Sequence, residues 1–181
     1  MKRYTFLFFW SMTLFAVSCG TKESTHKIAK AIPLKKQIKT AESKLSGNNP
    51  SKSQLLDLIS LYRQYADSFP NDKRSPVYLI KAGDFYGNVN LPHEKCAMYK
   101  KVVDLYPDFK DADMVLYLYA STLDSDLDNR AEAKKQYELF VQKFPQSPYA
   151  QDAIARLTTI DSLSFNELQE KIIRQQLRSP K

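Results

Sequence analysis

The residues best suited to chemistry in this chain are three alternating carboxylates in the run Asp124-Ser125-Asp126-Leu127-Asp128-Asn129. A hard divalent cation takes several oxygen ligands, and alternating aspartates are how a calcium-binding loop begins. The remainder of such a loop is missing, because Asn129 stands where the sharp-turn glycine belongs and Lys135 where the bidentate glutamate belongs. The run reads instead as an acidic inter-helix loop whose carboxylates favour the N-terminus of the next helix, and no metal ligand is assigned. His26 and His93 fall in different segments, so no shared site is expected of them. Cys96 sits among Met98, Tyr99, Val102 and Val103 with no base beside it, which suits a small packing residue better than a nucleophile. The sequence has no histidine-glutamate zinc motif, no phosphate-cradling glycine loop and no nucleophile elbow. No catalytic residue and no cofactor are assigned, and the chain is not expected to be an enzyme.

The elements that would position any site announce themselves as a repeat. An aromatic-proline pair occurs at Phe69-Pro70, Tyr106-Pro107 and Phe144-Pro145. The intervals are 107 − 70 = 37 and 145 − 107 = 38 residues. Eight residues before each proline stands a tyrosine (Tyr62, Tyr99, Tyr137), and five and four before it a packing pair (Tyr65-Ala66, Val102-Val103, Phe140-Val141). Proline lacks an N–H and biases the preceding residue away from helical angles, so each pair ends a helix and opens a turn. Aromatics three and four residues apart lie on one helix face, which a lone hairpin cannot bury, so each unit needs its neighbour as a lid. The expected fold is all-α, a right-handed solenoid of about four antiparallel helical hairpins.

At these residues the chain resembles the tetratricopeptide-repeat family. Ala133, Tyr137, Phe140, Val141 and Pro145 match the small, aromatic, bulky, bulky and proline positions of that family's second helix. Around Pro107 the small position is Lys95, which implies a helix pair that sits further apart or shifts in phase; around Pro70 it is Leu58. The intervals exceed the family's usual thirty-four residues, which implies longer helices or loops. The matches run from about Ser51 to Ile160.

The N-terminus carries a second signal. Lys2 and Arg3 precede an apolar stretch from about Thr5 to Val17, too short for a mature span, closing on Ala16-Val17-Ser18-Cys19-Gly20. This resembles a bacterial lipoprotein signal peptide with its lipobox, the alternative being a plain secretory signal. The resemblance implies cleavage behind Ser18 and a lipidated Cys19 as the new N-terminus. Gly20, in place of the aspartate that often marks inner-membrane retention in lipoprotein families, makes the outer membrane the expected location, on either face. Two or more acyl chains hold a protein almost permanently, where one holds weakly.

Formal net charge is +7, and removal of residues 1–18 takes Lys2 and Arg3, leaving 25 basic and 20 acidic residues, or +5. Lys22, Lys27, Lys30, Lys35, Lys36, Lys39, Lys44 and Lys52 against Glu23 and Glu42 give +6 to residues 20–52 alone, so the repeat body is near neutral at −1. A lysine-rich tether beside a lipid anchor suits an anionic membrane surface, or else is a solvated linker; without a basic stripe on the repeats, nucleic acid is not an expected partner. The expected organisation is a signal peptide over 1–18, a flexible basic tether over 19–33 with lipidated Cys19, and a helical-repeat domain over 34–181.

Within that domain Leu34, Ile38, Ala41 and Leu45 recur at helical intervals. Ser75-Pro76 and Ser147-Pro148 read as N-cap serine before N1 proline, while Asn129 with Glu132 and Ser164 with Glu167 have capping-box spacing. Helices are expected over 34–46, 51–68, 75–87, 91–106, 110–123, 129–144, 148–160 and 165–178. The last would either cap the core or present a partner-binding face. Stacked hairpins make a curved body whose first helices line the concave side. The candidates for that face are Tyr78, Lys81 and Asp84 in one helix and Asp113, Tyr117 and Ala120 in the next. The expected function is a membrane-anchored scaffold that binds a protein or peptide partner in the cell envelope; one version resembles the tetratricopeptide lipoprotein of the outer-membrane protein assembly machinery, or those of cell-envelope division and trafficking systems. An envelope structural spacer and an enzyme with a site of scattered carboxylates are the alternatives.

Overall fold

The computed structural model describes residues 20–45, 49–161, 170 and 173–174, with side chains from Ala31 onward. The expected signal peptide, Cys19 and the expected Ser164–Glu167 cap lie outside the described residues. Seven α-helices follow one another: α1 (Gly20–Leu45), α2 (Lys52–Ser68), α3 (Ser75–Asn88), α4 (Pro92–Leu105), α5 (Ala112–Ser121), α6 (Arg130–Lys143) and α7 (Ala150–Asp161). A π-helical turn, Thr122–Asp126, extends α5. The described residues contain no strand, and each helix packs on the next in the chain, the pattern of a tetratricopeptide-like helical repeat.

The aromatic-proline pairs end α2, α4 and α6, and each opens the same double turn. Asp72 donates its amide to Phe69 and Ser75 to Asp72; Phe109 donates to Tyr106 and Ala112 to Phe109; Ser147 donates to Phe144 and Ala150 to Ser147, all at 2.9–3.0 Å. These connections, at 69–74, 106–111 and 144–149, are longer than those inside the hairpins at 89–91 and 127–129. The long repeat interval resides in these connections. Inside the hairpins, Asn90 (φ 58°) and Asp128 (φ 48°) take the left-handed conformation that short polar residues tolerate best.

The core is one continuous cluster, and the residues placed by the repeat all enter it. Tyr62, Tyr65, Tyr99, Tyr137, Phe140 and Val102 are essentially inaccessible, and Leu34 and Ile38 of α1 join them with Ala41 and Leu45 half-covered. Cys96 is buried too, and that burial raises its thiol pKa, so it rests as a neutral packing group. The helix pair α3/α4 closes tightly and does not spread at Lys95. A Cβ built on Gly83 would lie 2.6 Å from Tyr99 Cε1, so the glycine admits the ring, while Lys95 reaches out to Asp126 at 2.8 Å.

Four expectations require correction. The segment assigned as a flexible tether is helical from Gly20, and α1 runs through Pro33. The stretch carries Lys22, Lys27, Lys30, Ala29 and Ala31, residues that lose little entropy in a helix, and Ala31 packs on the face that continues through Leu34 and Ile38. Ser75 lies inside α3 and caps nothing; its buried hydroxyl donates to the Phe69 carbonyl at 2.6 Å and ties the double turn shut. Helix α7 begins at Ala150, and the Ser147 hydroxyl donates to Asp113 at 2.7 Å while accepting from the Tyr149 amide. The acidic run is a free loop only after Asp126, since its first residues wind on as the π turn. Asn129 does cap α6, accepting from the Glu132 amide, and Ser51 with Gln54 forms a capping box on α2. Of the expected eighth helix, Glu170, Ile173 and Arg174 are described and helical, with Ile173 54% exposed; the rest lies outside the described residues.

Candidate functional site

Helices α1, α3, α5 and α7 are the first helices of successive hairpins. On α3, Tyr78, Lys81 and Asp84 project toward α1, α2 and α4. Lys81 Nζ meets Glu42 Oε1 of α1 at 2.7 Å, and the Tyr62 hydroxyl donates to the same oxygen at 2.6 Å. Burial alone would push the Glu42 carboxyl up, but these two hydrogen bonds and the lysine charge outweigh it and hold the pKa below the ordinary range. The Tyr62 hydroxyl is held protonated by burial and by the adjoining carboxylate. Its ring stacks on Tyr78 at 5.0 Å, Tyr78 meets Tyr65 edge-on at 4.9 Å, and Lys81 lies over the Tyr62 face at 5.6 Å. Asp84 accepts from the Tyr99 hydroxyl at 2.5 Å.

Glu42, Tyr62, Lys81 and Asp84 line a hollow of about 580 Å³ whose other walls are Lys39, Ser43 and Leu45 of α1, Leu58 of α2 and Phe85 of α3. Both charge signs are accessible there beside the half-buried Phe85 ring, with Tyr62 buried beneath them, an arrangement suited to holding a polypeptide by paired charges. The sequence supplied Lys81 and Asp84 of this set but not Lys39, Glu42 or Phe85. Glu42 was legible only as the flank of the Leu34–Ile38–Ala41–Leu45 face, and its role depends on which helix that face meets.

The second candidate group is built differently. Tyr117 stacks on Tyr149, the last residue of the turn before α7, at 5.0 Å and donates its hydroxyl to Asp152 of α7, and Asp113 accepts from Ser147. Arg156 pairs with Asp152 at 3.5 Å and with Asp124 at 3.9 Å. Ala120 is fully buried (0% exposed), which removes it from any partner face. Its neighbours Val115, Leu116 and Tyr119 are buried as well, because a first helix is packed on two sides. The structure thus joins Tyr78, Lys81 and Asp84 to α1, α2 and α4, and joins Asp113 and Tyr117 to α7 and its leading turn. The three carboxylates of the acidic run go to three separate cations: Asp124 to Arg156, Asp126 to Lys95 and Asp128 to Arg130 at 3.2 Å.

Residues 52–169, well over half the chain, match the family model described as YfiO, outer membrane lipoprotein. The chain belongs to this family. Membership places it at the outer membrane, in a family that is not an enzyme class. Similar proteins are the outer membrane protein assembly factor BamD of Neisseria gonorrhoeae and those of Neisseria meningitidis serogroups A and B. Each is 25% identical over 167 residues, covering 82% of this chain and 61% of that protein. The chain therefore spans about three fifths of the length of these curated relatives. The family segment opens at α2 and includes the α3 and α5 groups; α1, which supplies Lys39 and Glu42, precedes it. Among the described residues no helix is long and apolar enough to cross a membrane.

Proposed function

We propose that the chain is a non-enzymatic scaffold in outer membrane protein assembly, anchored by lipid on Cys19 and holding protein partners on the face of its first helices. The observation that carries this is the family match over the repeats from α2 onward, beside which the hollow of Lys39, Glu42, Lys81, Asp84 and Phe85 presents paired charges and a half-buried aromatic ring. The relatives are named as outer membrane protein assembly factors, and a preformed helical surface suits that task because little backbone must be ordered on binding. Lysine and carboxylate in the hollow would meet backbone and side-chain groups of a segment laid across it, with Phe85 covering its apolar residues. Lipid on Cys19 would keep this surface beside the membrane where the partners work, and the only cofactor-like group needed is that covalent lipid.

In-cell crosslinking from a photoreactive residue at position 81, followed by affinity purification and mass spectrometry, tests the reading against a Cys19→Ala form exported through a cleavable signal. A dominant partner captured only by the anchored form is the expected result. Recovery of cell-wall fragments with no protein partner would refute the scaffold and favour a structural spacer.

A further inference from the structure

Apart from Lys39, which also edges the hollow just described, the outward face of α1 has no role there. From Ile32 onward it carries Lys36, Lys39 and Lys44, all exposed, together with Ile32 at 62% exposure. None of the three lysines pairs with a carboxylate among the described residues, and Glu42, the one acid of that stretch, turns inward to Lys81 and Tyr62. Lys35, on the flank, is turned toward Asp72 and the Tyr65 ring. Helix α2 adds a single carboxylate, Asp57, at the edge of the groove beside Lys36 and Lys44. Residues 20–52 hold +6 while the remainder of the mature chain sums to −1, so the charge is confined to this end.

Geometry decides what such a face can reach. The 26 residues of α1 form a rod of about 39 Å at 1.5 Å per residue, beginning directly after Cys19. Upright on a membrane, Lys36 would stand about 24 Å along the axis from Gly20, roughly three Debye lengths away at physiological ionic strength. Lying along the surface, the same rod brings all three lysines and the apolar Ile32 side chain to the headgroups, with the repeat body on the far side. We infer that the outward face of α1 is a docking surface for an anionic phospholipid bilayer, on which the helix lies flat and orients the repeats. The inference rests on the anchor at Cys19 assigned under the proposed function, which supplies the starting point of the rod.

The test uses the full acylated chain reconstituted in vesicles of phosphatidylethanolamine with either phosphatidylglycerol or phosphatidylcholine. Lysine acetylation rates are read by mass spectrometry, with the exposed Lys110 at the α4–α5 connection as internal reference. Acetylation of Lys36, Lys39 and Lys44 should slow about fivefold on the anionic vesicles relative to the zwitterionic ones, the occupancy that one favourable lysine contact confers. The difference should vanish in 1 M salt, where screening is complete within a few ångströms. Equal rates on both vesicles, with the chain retained on each, would overturn the docking face and leave the anchor standing. Retention and protection on anionic vesicles alone would support the face and overturn the anchor. Protection by polyglutamate with none on anionic vesicles would also overturn the proposal and reassign the face to an acidic protein.

Discussion

Gly83 and Gly87 sit one turn apart on α3, and replacing each by alanine should move stability in opposite directions. At Gly83 the added Cβ would lie 2.6, 3.0 and 3.2 Å from three atoms of the Tyr99 ring. Ordinary carbon contacts are about 3.5–4.0 Å, so the overlap approaches 1 Å. The ring has nowhere simple to go, since Tyr99 is 2% exposed and its hydroxyl is bonded to Asp84 at 2.5 Å. Overpacking of this kind costs about 1–3 kcal/mol, against roughly 1 kcal/mol regained in helix propensity, which leaves about 1 kcal/mol of net destabilisation for Gly83→Ala. At Gly87 the nearest atom is Lys95 Cδ at 3.3 Å, part of a flexible side chain, and the site is exposed. Gly87→Ala should therefore stabilise by about 0.5 kcal/mol. Thermal unfolding followed by circular dichroism resolves both, since 1 kcal/mol corresponds to about 2–4 °C at this size. A rise in Tm for Gly83→Ala comparable to that of Gly87→Ala would refute the close α3/α4 contact. Repeating the change in a Tyr99→Leu background supplies the internal check, because without the ring Gly83→Ala should become neutral or favourable.

The other predictions concern the hollow, a turn and the core. Glu42 has a folded pKa below its unfolded one, so its contribution is fully present above the ordinary carboxylate value near 4.3 and is lost as pH falls through the depressed folded value. The stability gap between the native chain and Glu42→Gln, measured by urea titration, should therefore be constant from about pH 5 to 7 and shrink below about pH 4; a gap that widens in acid would contradict the Lys81–Glu42–Tyr62 network. Asn90→Ala places a Cβ-bearing, non-bonding side chain at φ 58° and should cost about 1 kcal/mol, whereas Asn90→Gly should cost nothing or stabilise; equal effects in a denaturant melt would argue against the left-handed turn. Phe140→Ala removes a fully buried ring between α5 and α6 and should destabilise by about 3–5 kcal/mol, with a loss under 1 kcal/mol showing that the third hairpin is not packed as described.

Sequence reading succeeded where the physics is local. A proline stops a helix whatever surrounds it, and aromatics at fixed distances upstream share a face, so Tyr62, Tyr99, Tyr137 and Phe140 could be placed in the core with no knowledge of their neighbours. Failures arose where a residue answers to another helix. Glu42 and Lys81 are 39 residues apart, and nothing in either segment specifies that α1 delivers the carboxylate to α3. Ala120 shares helical phase with Asp113 and Tyr117, yet lies at the edge of the arc that α5 buries, and an alanine is too small to emerge from it. The tether expected over 19–33 ends on Pro33, but the buried face from Ala31 to Ile38 carries the helix across that proline. Ser75 and Ser147 have the composition of caps, but the double turn offers their hydroxyls stronger partners in Phe69 and Asp113.

The three identical double turns bear on how quickly the chain reaches this state. Each closes with hydrogen bonds spanning three residues, and each helix packs chiefly on its neighbours in sequence, so almost no long loop must be closed before contacts begin to repay its entropy. Proteins dominated by such near-neighbour contacts fold in microseconds to milliseconds. A chain delivered unfolded, N-terminus first, could set α1 against α2 and add one hairpin after another as each emerged. The unburied aromatic faces that would otherwise invite aggregation would then be exposed only for the time it takes the next helix to arrive.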